Sequence, residues 1–145
     1  MFTEEERKLY RVEFASYAKR HYLKNYERKY GRAWEVTKRA LVAQFERIEN
    51  LVNNKRTNTP IHRSADERYW LIKHEFAVAG TKQSPKGSGN RAIVCVDREE
   101  RVVFVLMVYH KSDLGAGGHA ETATWECRVR EHCGEYLAWL ERKNH

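Results

Sequence analysis

The sequence predicts an α+β fold, a small and mainly antiparallel sheet with helices packed on one face, in the order β-α-α-β-β-β-α. Three observations predict it. Trp34, Thr37, Leu41, Phe45, Ile48 and Val52 recur at intervals of three and four, one long helical stripe. Arg91 to Val96 and Val102 to Tyr109 are rich in β-formers and flank the charged turn Asp97-Arg98-Glu99-Glu100, which reads as a hairpin. A last helical pattern places Trp125, Val129, Cys133, Tyr136, Leu137 and Leu140 on one side.

Taken in order, Thr3 and Glu6 have the spacing of a capping box. Tyr10, Val12 and Phe14 alternate with Leu9, Arg11 and Glu13, a period of two that predicts a strand over 9–14. A helix is expected over 16–30, stopped by Gly31, and a second from Ala33 to about Asn53. Asn53-Asn54 and Thr57-Asn58-Thr59-Pro60 read as a polar loop. Tyr69 to Phe76 reads as a strand, and Gly80 to Asn90 has loop composition. The run Val102 to Val108 shows no alternation, so its strand should be central and covered on both sides along most of its length. The final helix is expected from about Glu121 to Leu140. A chain of 145 residues without repeats or a long linker is expected to form one domain, 1–145.

Composition narrows the class. No apolar run approaches the roughly 20 residues of a membrane span, and the acidic start Met1-Phe2-Thr3-Glu4-Glu5-Glu6 is unlike a secretory signal. A cytoplasmic protein without a membrane partner is expected. Cys95, Cys127 and Cys133 have no CxxC spacing and read as buried thiols. A site from Cys127, His132 and Cys133 lacks the close pairs that hold zinc, so no metal and no other cofactor is expected.

Net charge is +7, and the excess is concentrated. Between Lys19 and Arg32, six basic residues (Lys19, Arg20, Lys24, Arg28, Lys29, Arg32) face one acid, Glu27. Tyr22, Tyr26 and Tyr30 are interleaved at helical spacing and read as the core side of that helix. The charges are surplus to packing and suit a polyanionic partner, with Arg20, Lys24 and Arg28 as candidate contacts.

The apolar last strand ends abruptly in Tyr109-His110-Lys111-Ser112-Asp113. By itself this is how a strand surfaces. Beside it, however, stand Lys73 and His74 on the preceding strand and Arg91 at the head of the middle one. The loop before Arg91 adds Lys82 and Lys86 to amides freed by Gly87 and Gly89. That loop lacks the GKS or GKT ending of a nucleotide-binding P-loop and suits contact with a nucleic-acid backbone.

With the order of elements, the string Asn90-Arg91-Ala92-Ile93-Val94-Cys95-Val96-Asp97, the strand Val102 to Tyr109 and the ending His110-Lys111-Ser112-Asp113-Leu114, the chain resembles the RelE/ParE superfamily of bacterial toxins over residues 9–137. It is closest to the branch of RelE-like messenger-RNA interferases that uses a histidine after the last strand. The resemblance implies a ribosome-dependent ribonuclease that inhibits translation and is neutralised by a cognate antitoxin, with messenger RNA and the ribosome as partners. In that chemistry the RNA 2′-hydroxyl attacks the neighbouring phosphate without metal, assisted by an acid or base and by cations. It implies Arg91 as the cation, His110 as acid or base, and Lys73 or His74 as the basic residue of the earlier strand, with Lys111 and Asp113 in support. The family's aromatic after the last strand is replaced by Leu114-Gly115-Ala116-Gly117-Gly118-His119, so the base-stacking role is vacant unless Tyr109 takes it. The alternatives are a non-catalytic ParE-like toxin of gyrase and a degenerate module that binds nucleic acid.

Overall fold

A computed structural model describes residues 9–114 and 118–141, with side chains from 121 onward in the second range. The Thr3–Glu6 capping box and the side chain of His119 lie outside the described residues. Strand β1 is Arg11–Phe14. A helical run, α1, follows as Ser16–Ala18, a π-helical Lys19–Leu23 and Lys24–Tyr30. Gly31 ends it at φ +55°, a conformation that suits glycine.

Helix α2 spans Arg32–Glu46 and α3 spans Ile48–Leu51, so the long helix expected from the stripe is broken at Arg47 (φ −111°, ψ 40°). The apolar stripe continues across the break because Phe45 and Ile48 both remain fully buried. The segment expected as a polar loop is instead strand β2, Asn58–Arg63. Among the described residues it pairs only with β3, Tyr69–Phe76, and its bulge lies between Pro60 and His62. An edge strand tolerates proline and polar residues, which conceals it from a period-two pattern.

One turn of helix, α4, covers Pro85–Ser88 within the expected loop, with the Ser84 hydroxyl accepting from the Gly87 amide. Strands β4, Asn90–Asp97, and β5, Val102–His110, form the expected hairpin. A 3₁₀ turn at Lys111–Leu114 leads on, then α5, Gly118–His132, and α6, Gly134–Glu141. The last helix is thus two helices divided at Cys133.

The five strands lie in the order β1-β5-β4-β3-β2, all neighbours antiparallel except β1 and β5. This is the expected α+β class with its mainly antiparallel sheet. The placement of helices differs from expectation: they cover both faces. On one side Leu23, Tyr26, Trp34, Leu41, Phe45 and Ile48 of α1–α3 pack on the sheet. On the other, Trp125, Val129, Tyr136 and Leu140 of α5 and α6 pack on Leu71, Ile93, Cys95 and Met107. The cause is β3, β4 and β5, which carry apolar residues on both sides, so a single helical layer would leave one face wet.

Tyr26 is buried, with Tyr22 and Tyr30 half-buried beside it, as the helical spacing predicts. Cys95 and Cys133 are buried, and burial pushes their thiols up to about 12 and about 11. Cys127 is exposed, contrary to expectation, because it lies off the apolar stripe of α5. Among the described residues no helix is long and apolar enough to cross a membrane.

Candidate functional site

The polar residues singled out in the sequence gather at one end of the sheet, where β4 begins and β5 ends. The register aligns Glu75 with Arg91 and Arg91 with Tyr109, and one step further Phe76 with Asn90 and Asn90 with His110. Successive strand residues point to opposite faces. Arg91, Tyr109 and Lys73 therefore face α5 and α6, whereas His110 and His74 face α1 and α2. The open choice between Lys73 and His74 is thereby resolved as to face: Lys73 shares the side of Arg91.

On the α5 side the groups form a buried network. The Arg91 Nε–H donates to Glu121 Oε2 at 3.2 Å, and the Tyr109 hydroxyl donates to the same oxygen at 2.8 Å. Glu75 Oε1 stands 3.9 Å from an Arg91 terminal nitrogen. Arg91, Glu75, Glu121 and Tyr109 are all buried, and Lys73 is half-buried. Burial, followed by the bond to the Glu121 carboxylate, pushes the Tyr109 hydroxyl well above the ordinary phenol range, so it stays a donor.

On the other side His110 is held at both nitrogens. The Ser112 amide donates to Nδ1 at 3.1 Å, so Nδ1 is the acceptor and Nε2 carries the proton. That Nε2–H donates to the Ser88 carbonyl at 3.0 Å, and Ser112 Oγ lies 2.7 Å from Nδ1. The ring packs on Gly89, where an added Cβ would stand 2.7 Å from His110 Nε2. Gly89 also has φ +79°, and its carbonyl accepts from the Lys111 amide at 2.8 Å. The Ser88 hydroxyl donates to the Phe76 carbonyl at 2.5 Å and accepts from the Asn90 amide at 3.1 Å. Asn90 Oδ1 in turn accepts from the Tyr26 hydroxyl at 2.8 Å, which fastens α1 to this end of the sheet.

His74 is a core residue. Its Nδ1 bonds to Asn58 Oδ1 at 2.9 Å and its ring stands edge-on to Phe45 at 5.3 Å. Burial lowers its pKa to about 4, so it is uncharged at neutral pH and adds no cation for a phosphate. Lys111 and Asp113 are exposed on the 3₁₀ turn, and Asp113 is near enough to Tyr26 to raise its hydroxyl further. Lys82, Lys86, Arg20, Lys24 and Arg28 are exposed.

The sequence reading missed Glu121, Glu75 and Ser88. Glu121 reads only as a helix start, and nothing in a linear pattern shows that its carboxylate returns to the sheet. Among the described residues no group of three potential ligands is placed to hold a metal ion.

No family profile and no curated protein sequence matches the chain. Among solved structures it is similar to the archaeal RelE–RelB complex from Pyrococcus horikoshii OT3, with a TM-score of 0.43 and 10% identity over 75% of this chain and 99% of that chain. At that distance the likeness assigns no activity, which has to be argued from the side chains.

Proposed function

We propose that this chain is a RelE-like, toxin-type protein that engages messenger RNA and cleaves it without metal, in concert with the ribosome, under the control of an antitoxin. The observation that carries the reading is that Arg91, Tyr109, His110 and Lys111 all lie at one end of the sheet, Arg91 and Tyr109 on one face and His110 on the other, where Tyr26 fastens the basic helix α1. The exposed Arg20, Lys24 and Arg28, with Lys82 and Lys86 of the loop, supply the sequence-independent attraction for a phosphate backbone.

In the proposed reaction the RNA 2′-oxygen forms a bond to the adjacent phosphorus and the bond from phosphorus to the 5′-oxygen breaks. The products are a 2′,3′-cyclic phosphate and a 5′-hydroxyl. One proton leaves the 2′-hydroxyl and one reaches the departing 5′-oxygen. His110 Nδ1, unprotonated and next to the Ser112 hydroxyl, is the group suited to exchange it. Lys111, exposed next to His110, answers the charge gathering on the phosphate oxygens, and Arg91, on the opposite face of the same sheet end, contacts the RNA backbone.

A second reading, a module that binds RNA without cutting it, is favoured by a specific observation: both His110 nitrogens and the Arg91 guanidinium are already engaged within the protein. Primer extension on a reporter message in a translating extract separates the two. Cleavage predicts codon-phased ends that vanish without ribosomes and in Arg91→Ala and His110→Ala. An uncut message that still binds the protein in a salt-dependent way supports the module. An uncut message with inhibited gyrase supercoiling points to the ParE-like alternative.

A further inference from the structure

We infer that Arg91 Nε and the Tyr109 hydroxyl form an oxyanion site for an RNA phosphate, and that the Glu121 carboxylate occupies this site in the resting protein. The inference rests on the RNA-directed reading above and adds a mechanism of self-masking to it.

Two donors from neighbouring strands converge on a single oxygen, Glu121 Oε2, at 3.2 and 2.8 Å. Such an arrangement recognises an anionic oxygen by charge and direction, and a phosphodiester oxygen meets the same requirements as a carboxylate. The two donors stand on adjacent strands as register partners, so the site itself is rigid. Its occupant is not. Glu121 lies in the first turn of α5, whereas Trp125 and Val129, fully buried one and two turns later, hold the rest of the helix to the sheet. A terminal turn opens more readily than the body of a packed helix.

Charge separates a mask from a mere clasp. Glu75, the register partner of Arg91, already supplies one carboxylate to the guanidinium. Glu121 supplies a second, so the buried group holds two acids against one base. An excess buried charge is unfavourable, and a clasp built for stability alone needs only one acid. On the same face of β3, the half-buried Lys73 is placed to meet an entering phosphate. Lifting the first turn of α5 would therefore expose a cationic site at the sheet end nearest the basic helix.

The test titrates a short fluorescein-labelled single-stranded RNA with wild type, Glu121→Gln, Glu121→Gln/Arg91→Ala and Glu126→Gln across a range of salt. Glu126 is exposed on the same helix and controls for loss of an acid at the surface. Glu121→Gln should bind more tightly, with a plot of log affinity against log salt steeper by about 0.7, the increment for one added single-strand phosphate contact. The double variant should lose both gains, and Glu126→Gln should leave the slope unchanged. A wild-type slope in Glu121→Gln, or an equal gain in Glu126→Gln, overturns the inference while wild-type binding still supports the RNA reading. RNA bound by Glu121→Gln alone supports the mask, and RNA bound by neither overturns mask and RNA reading together. Should Glu121→Gln fail to fold, hydrogen exchange on wild type decides. RNA should deprotect the amides of residues 122–125 and leave β4 protected; unchanged exchange in α5 overturns the mask.

Discussion

Stability should fall by about 3 kcal/mol between neutral and mildly acidic pH because of one residue, His74. Its ring is buried against Phe45 and bonded to Asn58, and burial takes its pKa from an ordinary 6.5 to about 4. The unfolded chain takes up a proton near 6.5, while the folded chain refuses it until about 4. Between those values the unfolded state binds more protons, so stability is complete above 6.5 and is lost as pH falls toward 4. At 1.36 kcal/mol for each pH unit, the full loss is about 3 kcal/mol. By about pH 4.5 the linkage relation places the loss between about 2 and 3 kcal/mol. The assay is urea unfolding of wild type and His74→Gln at closely spaced pH values. The variant pays its own cost at every pH, but the difference between the two curves isolates the titration of His74 from that of the other histidines. Asp66 and Asp97, whose carboxyls are held below the ordinary value of 3.8, act mainly below that pH, and being common to both proteins they cancel from the difference curve. A difference curve flat from pH 7 to 4 would refute the reasoning, because a ring that protonates without cost is not buried as described.

Gly89→Ala should destabilise the fold by roughly 1–3 kcal/mol in urea melts, since Gly89 has φ +79° and its new Cβ would stand 2.7 Å from His110 Nε2. In the same variant the His110 ring resonances should shift, because that ring must leave the Ser88 carbonyl. Asp97→Asn should cost about 1–3 kcal/mol by the same assay, because Asp97 takes two 3.0 Å bonds from Arg68 and accepts from the Glu99 and Glu100 amides of the hairpin turn. Arg68 and those amides keep the Asp97 carboxyl below its ordinary value despite its burial, so its contribution is present above 3.8 and lost as pH falls further. Asp97→Asn should accordingly flatten the acid limb of the stability curve and leave the His74 window unchanged.

Much of the fold was legible because its central elements are long and periodic. The β4–β5 hairpin, the tyrosine face of α1 and the stripe of α2 follow from spacing alone. The run Val102 to Val108 even announced a strand covered on both sides, which is the arrangement found, although the order of elements suggested helices on one face only. What escaped notice is what has no period. Strand β2 carries Asn58, Thr59, Pro60, His62 and Arg63 because an edge needs little apolar surface. The breaks at Arg47 and Cys133 fall where the apolar stripe continues, and a stripe does not record the backbone beneath it.

The candidate site was legible in its residues and illegible in its geometry, and one inserted residue accounts for much of this. Counted back from the hairpin turn, Asp97 pairs with Val102 and Val94 with Val105, a register that would bring Arg91 opposite Val108 and Asn90 opposite Tyr109. Between Ile93 and Val94 the register shifts, and Leu106 becomes the extra residue of a bulge. Beyond it Ile93 pairs with Met107, so Arg91 meets Tyr109 and Asn90 meets His110. The consecutive Leu106 and Met107 both enter the core under α5 and α6, which is the mark of the shift. Since side chains alternate, the bulge exchanges the faces of Tyr109 and His110. Tyr109 joins Arg91 and receives Glu121, while His110 turns to Ser88 and Gly89. The unbroken apolar run from Val102 to Val108 hides such an insertion completely, because every residue in it suits either face. The tyrosine that the sequence offered as a stacking platform is thereby made a buried hydrogen-bond donor. Any phosphate that reaches Arg91 must meet Tyr109 as well, and must first take the place of Glu121.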